Sequence, residues 1–346
     1  MNMKDEIITF SIIFTTIAPG ILATTHLSIY VAFPSLLLGL IIAYLTYLFV
    51  NKKWDYEGLY GYAKEVHPFN GYIFLVSWLV SYYLYTIYTA IYIPYYVLNL
   101  DGLSAFFLSV ILEIIVVSSL LSNFLYIFPI IAFSQFILAL PIGWKLGLGM
   151  TPTIPSLFFN ILSSSLIVVC ITLSTFIKAD KKYSPFILYS VLIGGVMLLY
   201  SSFLIPSIVA TYASAISNFG LIMAEFLMIR NLLSAINIGK TIKILAVLSI
   251  PLVALGNINY VLFYNSLIVP SVTLLYVSLF SSFLSVFMYF RSIMIRTLGV
   301  ISLALFAYGC YNVISISKGY LFYEAITALF ASVILGILIG RRKIKG

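Results

Sequence analysis

The chain has 346 residues, 63% of them hydrophobic and only 8% charged, with a mean hydropathy of +1.15. A soluble domain carries about 25% charged residues, so a soluble fold is excluded, and the long apolar runs point to a helical membrane protein rather than a barrel of short alternating strands. The net charge of +8 is what cytoplasmic loops accumulate under the positive-inside rule, and it implies no nucleic-acid partner.

Polar and Pro/Gly punctuation predicts about twelve spans, at 8–30, 34–50, 69–98, 104–121, 124–143, 156–177, 185–206, 211–235, 241–260, 266–290, 294–316 and 320–340. The opening "MNMKDE" has little positive charge and no clear small-residue cleavage site comes after it, so the first run is expected to be retained. With the N-terminus placed inside, all but two of the 18 basic residues fall on inside segments, the exceptions being Lys145 and Lys318. A wrong span number would scramble that asymmetry. The expectation is a multi-pass protein of the cell membrane with both termini cytoplasmic. The loops are too short for a soluble domain, so residues 1–346 form one membrane domain and function lies within the bilayer.

The first span is interrupted. "TTIAPGILATT", residues 15–25, places Pro19 and Gly20 inside an apolar run, where loss of a donor and a weak helix former break the helix. The third span, "SWLVSYYLYTIYTAIYIPYYVL" at 77–98, carries tyrosines along its whole length. An interfacial belt would place them only at the two ends. Either they face helices or a cavity, or they reflect a bias in a chain with 27 tyrosines.

Ionisable residues at bilayer depth are functional candidates by default. Glu113, in the fourth span, is a hydrogen-bonded acid between helices or a coupling group. Glu225, in the eighth, pairs with Arg230 or relays a proton. The sixth span contains "NILSSSLIVV" at 160–169, whose serines suit close packing or a binding site. In the eighth, "TYASAISNFG" presents Thr211, Ser214, Ser217 and Asn218, which are helix glue or oxygen donors for a sodium ion. Cys170 and Cys310 lie in apolar segments and His26 and His67 are far apart, so no metal site, disulfide or cofactor is expected.

Breaks at matching positions in two halves point to an inverted-repeat transporter. Pro19 and Ser165 are separated by about as much sequence as the starts of spans five and ten. Residues 8–150 and 151–290 then form two five-helix repeats, and residues 291–346 add two helices and a basic cytoplasmic tail.

Three stretches resemble the amino acid–polyamine–organocation superfamily of permeases. "IAPGIL", Ile17 to Leu22, sits where that family breaks helix 1 with a Gly-Ser-Gly-Ile type motif; Ala18 and Pro19 replace the first glycine and the serine, and Gly20 is kept. "EGLYGYAKEVHPFNGY", 57–72, is similar to the family's Tyr-x-Tyr loop in Gly58, Tyr60, Tyr62, Pro68 and Gly71, with Trp78 coming after it. "TLSTFIKADKKYSPF", 172–186, resembles the loop after helix 6 in Lys181, Lys182 and Pro185. Counting back from Pro185 puts the helix-6 break at Ser164, Ser165 and Leu166. Leu166 stands at the usual glycine position. Phe133, Ser134 and Gln135 stand where some proton-driven members carry a lysine.

The resemblance implies an all-α leucine-transporter-like fold with broken helices 1 and 6. It implies a secondary permease for a small amino acid or related organic solute, driven by a proton or sodium gradient or by exchange. Helices 1, 2, 6 and 7 would rock against the rest. Ala18, Pro19, Gly20, Ile21 and Leu22, with Ser163, Ser164 and Ser165, would hold the α-carboxylate and amine. Tyr82, Tyr83 and Tyr85 would form the pocket wall. Ser214, Ser217, Asn218, Glu113 and Glu225 are the candidates for ion coupling. The rival classes are an integral membrane transferase, a flippase-like exporter of lipid-linked substrates and a non-transporting member of the same fold. The first lacks clustered acids for a metal, and the second lacks cationic residues at span centres.

Overall fold

The computed structural model describes residues 3–345 and is almost wholly helical. Lipid offers the backbone no hydrogen bonds, so each apolar run must satisfy its own peptide groups as helix. The first run divides into α1 (Met3–Thr16) and α2 (Pro19–Thr24). Then come α3 (Ile29–Lys52), a short loop helix α4 (Gly58–Val66) and α5 (Pro68–Tyr92). The first half closes with α6 (Gly102–Leu121) and the 12-residue α7 (Ile127–Leu138).

The second half opens with α8 (Ile154–Ser165), which tightens into a 3₁₀-helix over Leu166–Phe176. It continues with α9 (Pro185–Ser201), α10 (Ile208–Ala235), α11 (Thr241–Gly256) and α12 (Tyr260–Phe283). A four-residue α13 (Val286–Tyr289) leads to α14 (Ile293–Ile316) and α15 (Tyr320–Lys345). The loops after α7 and α9 pair as two short antiparallel strands, β1 (Lys145–Leu146) and β2 (Leu204–Ile205).

Among the described residues, nine helical segments are long and apolar enough to cross a membrane. The difference from twelve has physical causes. The first predicted span is broken, and the fifth, α7, is short. The ninth and tenth run together as a 49-residue apolar stretch, Thr241–Tyr289, interrupted at Asn257–Asn259. That join lies inside the segment the sequence assigns to span nine.

Of the nine, α10 is the most enclosed and α15 the least. The core therefore gathers round α10, with α1, α2, α5, α7 and the 3₁₀ segment against it. One end of this core is closed by Phe176. Its ring packs on Trp78 with centroids 4.4 Å apart, and on Phe74 at 6.4 Å. The ring also presses on the backbone at Gly58, where φ is +50° and a side chain would collide with it. Trp54 donates from Nε1 to Ser174 O at 2.9 Å, and Asn231 donates to Phe176 O at 3.0 Å. The Tyr62 hydroxyl caps α3 by donating to Phe49 O at 2.6 Å. The glycine–tyrosine loop thus locks the end of the 3₁₀ segment.

Phe176→Ala leaves a ring-sized void among these groups. It should cost about 3–5 kcal/mol, read as a lowered melting temperature in detergent, whereas Tyr62→Phe should cost only about 1 kcal/mol.

Candidate functional site

The break in helix 1 begins where α1 stops at Thr16. Ala18 is left-handed, with φ 49° and ψ 61°, a conformation costly for a residue with a Cβ. Pro19 then opens α2 without an N–H to place. The other N–H groups from Ala18 to Leu22 have partners. The Ala18 N–H donates to Thr15 O at 3.1 Å, and those of Ile21 and Leu22 donate to Ala18 O at 2.9 and 3.2 Å. Gly20 donates its N–H across to the Ser217 hydroxyl of α10 at 2.8 Å.

Ser217 in turn donates to Gln135 Oε1 of α7 at 2.5 Å, and Gln135 Nε2 reaches Thr15 Oγ1 at 3.5 Å. One buried chain of hydrogen bonds therefore ties both sides of the break to α7 and α10. Gly20 is there for close approach: a Cβ would fall on the backbone carbonyl of Ala213 and on Ser217 Oγ. The threonines back-bond within their own helix, Thr16 to Ile13 O, Thr24 to Gly20 O and Thr25 to Leu22 O.

A cavity of about 210 Å³ lies on the other side of the break. Helix 1 supplies Thr16, Ile17, Ala18, Ile21 and Leu22 to its wall. Tyr85 comes from α5, Leu166, Ile167, Val169 and Cys170 from the 3₁₀ segment, Leu221 from α10, and Val272, Leu275 and Tyr276 from α12.

Two further cavities lie toward the ends of helix 1 and α10. One, the threonine-side cavity, is about 350 Å³ and is lined by Thr24, Tyr92, Tyr96, Ser207, Thr211 and Ser214 among others. The other, the arginine-side cavity, is about 240 Å³ and is lined by residues including Asp5, Thr9, Ile12, Lys178, Leu227, Arg230 and Asn231. Along α10 the three come in order: Ser214, then Leu221, then Leu227 to Asn231.

The predicted site residues divide accordingly. Ala18, Ile21, Leu22 and Tyr85 line the central cavity, and Pro19 and Gly20 build the break beside it. The serine run does not reach the lining. Ser165 is buried and donates to Leu162 O at 2.6 Å, Ser163 is exposed and meets Asn312 at 3.5 Å, and Ser164 stands with them on α8. The residues just past the serines do reach it, because the chain changes helix type at Leu166.

Tyr83 is turned away and donates to Leu245 O of α11 at 3.0 Å. Tyr82 is buried beside Thr172 and Cys170, without a hydrogen bond of normal geometry. Glu113 is buried next to Ser249 of α11, away from the cavity.

Glu225 does not pair with Arg230. The Arg230 guanidinium donates to Leu120 O at 2.9 Å, and both Glu225 oxygens lack a hydrogen-bond partner. Residues five apart on a helix point about 140° from each other, so they do not share a face. Of the proposed sodium donors, Ser217 is taken up by Gly20 and Gln135, and the Asn218 amide donates to Ser214 O at 2.9 Å.

Gln135 is the functional candidate that sequence reasoning passed over. Its signal was a lone amide in the apolar run "IFPIIAFSQFIL", since a buried amide requires partners.

The whole chain superposes on solved structures of a manganese transporter from Eremococcus coleocola. It shares its fold with a membrane transporter. The structure with an aromatic bis-isothiourea substituted compound matches with a TM-score of 0.56 at 12% identity, over 99% of this chain and 96% of that one. A histidine-to-alanine mutant of the same transporter matches with a TM-score of 0.56 at 14% identity, over 97% and 94%. A glutamate-to-glutamine mutant gives 0.52 at 15%, again over 97% and 94%. No protein-family model matches the chain, and no curated protein matches it. A multi-pass helical membrane protein with a transporter's fold is what these likenesses establish.

Ser217→Ala strands the Gly20 N–H and the Gln135 carbonyl together, and is expected to cost about 1–3 kcal/mol in detergent melts. Gln135→Leu should cost a similar amount. The two losses should be clearly less than additive, because both remove the same bond.

Proposed function

We propose that this chain is a secondary active transporter. It carries a small neutral organic solute, an amino acid or a close relative, through the central cavity by alternating access. On this reading the twelve apolar runs are twelve crossings, with both termini cytoplasmic in the cell membrane. Residues 8–150 and 151–290 are inverted five-helix repeats, and the last two helices are appended. The observation that carries the proposal is the cavity at the helix-1 break, placed between two end cavities along α10. Alternating access requires that arrangement, with the solute held at the centre and thin barriers on either side.

The lining selects the solute. It is aliphatic apart from the Thr16 hydroxyl, the Cys170 thiol and the phenols of Tyr85 and Tyr276. A manganese ion prefers carboxylate, carbonyl and water ligands. Among the described residues no cluster of three His, Cys, Asp or Glu side chains could hold a metal. A cavity of about 210 Å³ has room for about seven waters at ~30 Å³ each, which suits a compact organic molecule. A solute carboxylate finds the N–H groups of Gly20, Ile21 and Leu22 already bonded. The basic arginine-side cavity is the cytoplasmic one, and a proton gradient, a sodium gradient or exchange drives the cycle.

Purified protein in liposomes should take up one or more of radiolabelled L-alanine, L-valine and L-leucine, with proton and sodium gradients imposed separately. Leu221→Trp fills the cavity and should abolish uptake, whereas Ser164→Leu, off the lining, should leave it largely intact. The opposite pattern would return the site to the serine run. Solute should also protect Cys170 from a membrane-permeant thiol reagent in a Cys310→Ser background. No uptake of any of the three under either gradient would leave the fold without this function.

A further inference from the structure

Glu225 is fully buried in α10, and neither carboxylate oxygen has a hydrogen-bond partner. Along the axis of α10 it lies between residues that line two of the cavities. Leu221, one turn away, lines the central cavity, and Leu227, two residues on, lines the arginine-side cavity. At 1.5 Å of rise per residue these are about 6 Å and about 3 Å along the helix. An uncompensated charge in such a place costs several kcal/mol, so a carboxyl there carries charge only when water or a cation reaches it.

The groups facing it are few. Tyr82, Tyr85 and Tyr88 of α5 and Cys170 of the 3₁₀ segment lie within electrostatic range. Two of these, Tyr85 and Cys170, are also walls of the central cavity. The other elements packed on α10 bring no cation to it. On α6, Glu113 sits beside Ser249 and Tyr83. On α7 the polar group is Gln135, bonded to Ser217 and Thr15. On α1 the acid Asp5 belongs to the arginine-side cavity, and the Lys243 end of α11 is exposed. Arg230, on the same helix, is engaged with Leu120 O but lines the arginine-side cavity.

We propose that Glu225 is the residue that takes up and releases a proton in step with the solute, making the chain a proton-coupled transporter. This rests on the transport reading above. While the centre is closed, the proton stays on the carboxyl and the site is uncharged. When the arginine-side barrier opens past Leu227, water reaches the carboxyl, and the proton passes to that water. Opening toward the threonine side brings water into the central cavity, and a proton from it returns to Glu225 past Tyr85 and Cys170.

Two measurements test this. Infrared difference spectra of the solute-free protein in lipid, taken over a pH series, should show a carboxylic-acid carbonyl band that falls as pH rises. The band should be missing in Glu225→Gln and kept in Glu113→Gln. A wild-type spectrum unaffected by Glu225→Gln, or a Glu225 band that never changes with pH, overturns the proposal without reference to any solute. In liposomes, a pH difference of one unit can sustain about a tenfold accumulation, 1.36 kcal/mol per unit. Wild-type protein should reach that order with at least one of L-alanine, L-valine and L-leucine. Glu225→Gln should fall to no accumulation of that solute while still exchanging its internal for its external pool. Accumulation by Glu225→Gln equal to wild type also overturns the proposal. Absence of exchange in wild type instead counts against the transport reading, and leaves the infrared result to decide the proton site.

Discussion

A backbone N–H surrounded by hydrocarbon must find its partner inside the protein, and at Gly20 that partner is the Ser217 hydroxyl. Much else depends on this bond. It requires α10 to lie against α2 closely enough that only glycine fits. It draws Gln135 of α7 into the same chain, and through it Thr15 on the other side of the break. The break can then stay open toward the central cavity with its N–H groups from Ala18 to Leu22 satisfied. Were the serine lost, the local chain would have to bond to something else or move.

Much of this could be read in the sequence, for reasons that are local. Pro19 removes a donor wherever it stands, so the interruption of helix 1 was visible from one residue. The change at Leu166 was located by its spacing from Pro185. Its nature, a tightening to 3₁₀ rather than a gap, depends on packing that spacing does not encode. The serines just before it look like ligands in the sequence, but Ser165 bonds to Leu162 O of its own helix and Ser163 meets Asn312 of α14. Gln135 was seen only as the absence of a lysine, since its partners Thr15 and Ser217 are remote in sequence. Hydropathy likewise found the apolar stretch from Thr241 to Tyr289 but could not place its interruption at Asn257–Asn259.

The comparison with a manganese transporter separates scaffold from cargo. At 12–15% identity the two chains share a path through space, while the chemistry facing the centre is set by each sequence. Here that chemistry is aliphatic, with a thiol, a hydroxyl and two phenols. Polar groups of the kind that bind ions lie around the cavity rather than in it. Ser217 and Gln135 hold the break, Asn218 braces its own helix, and Glu225 lies one turn along from the wall.

The 3₁₀ segment has a mechanical side as well. Runs of this helix rarely exceed three or four residues, yet here it holds for 11, Leu166 to Phe176. At about 2.0 Å of rise per residue it spans roughly 22 Å, where an α-helix of the same residues would span roughly 16 Å. The segment is thus drawn out by about one α-helical turn, with the cavity wall at one end and the Phe176 plug at the other. Relaxing it to an α-helix would shorten the link between them by about that one turn.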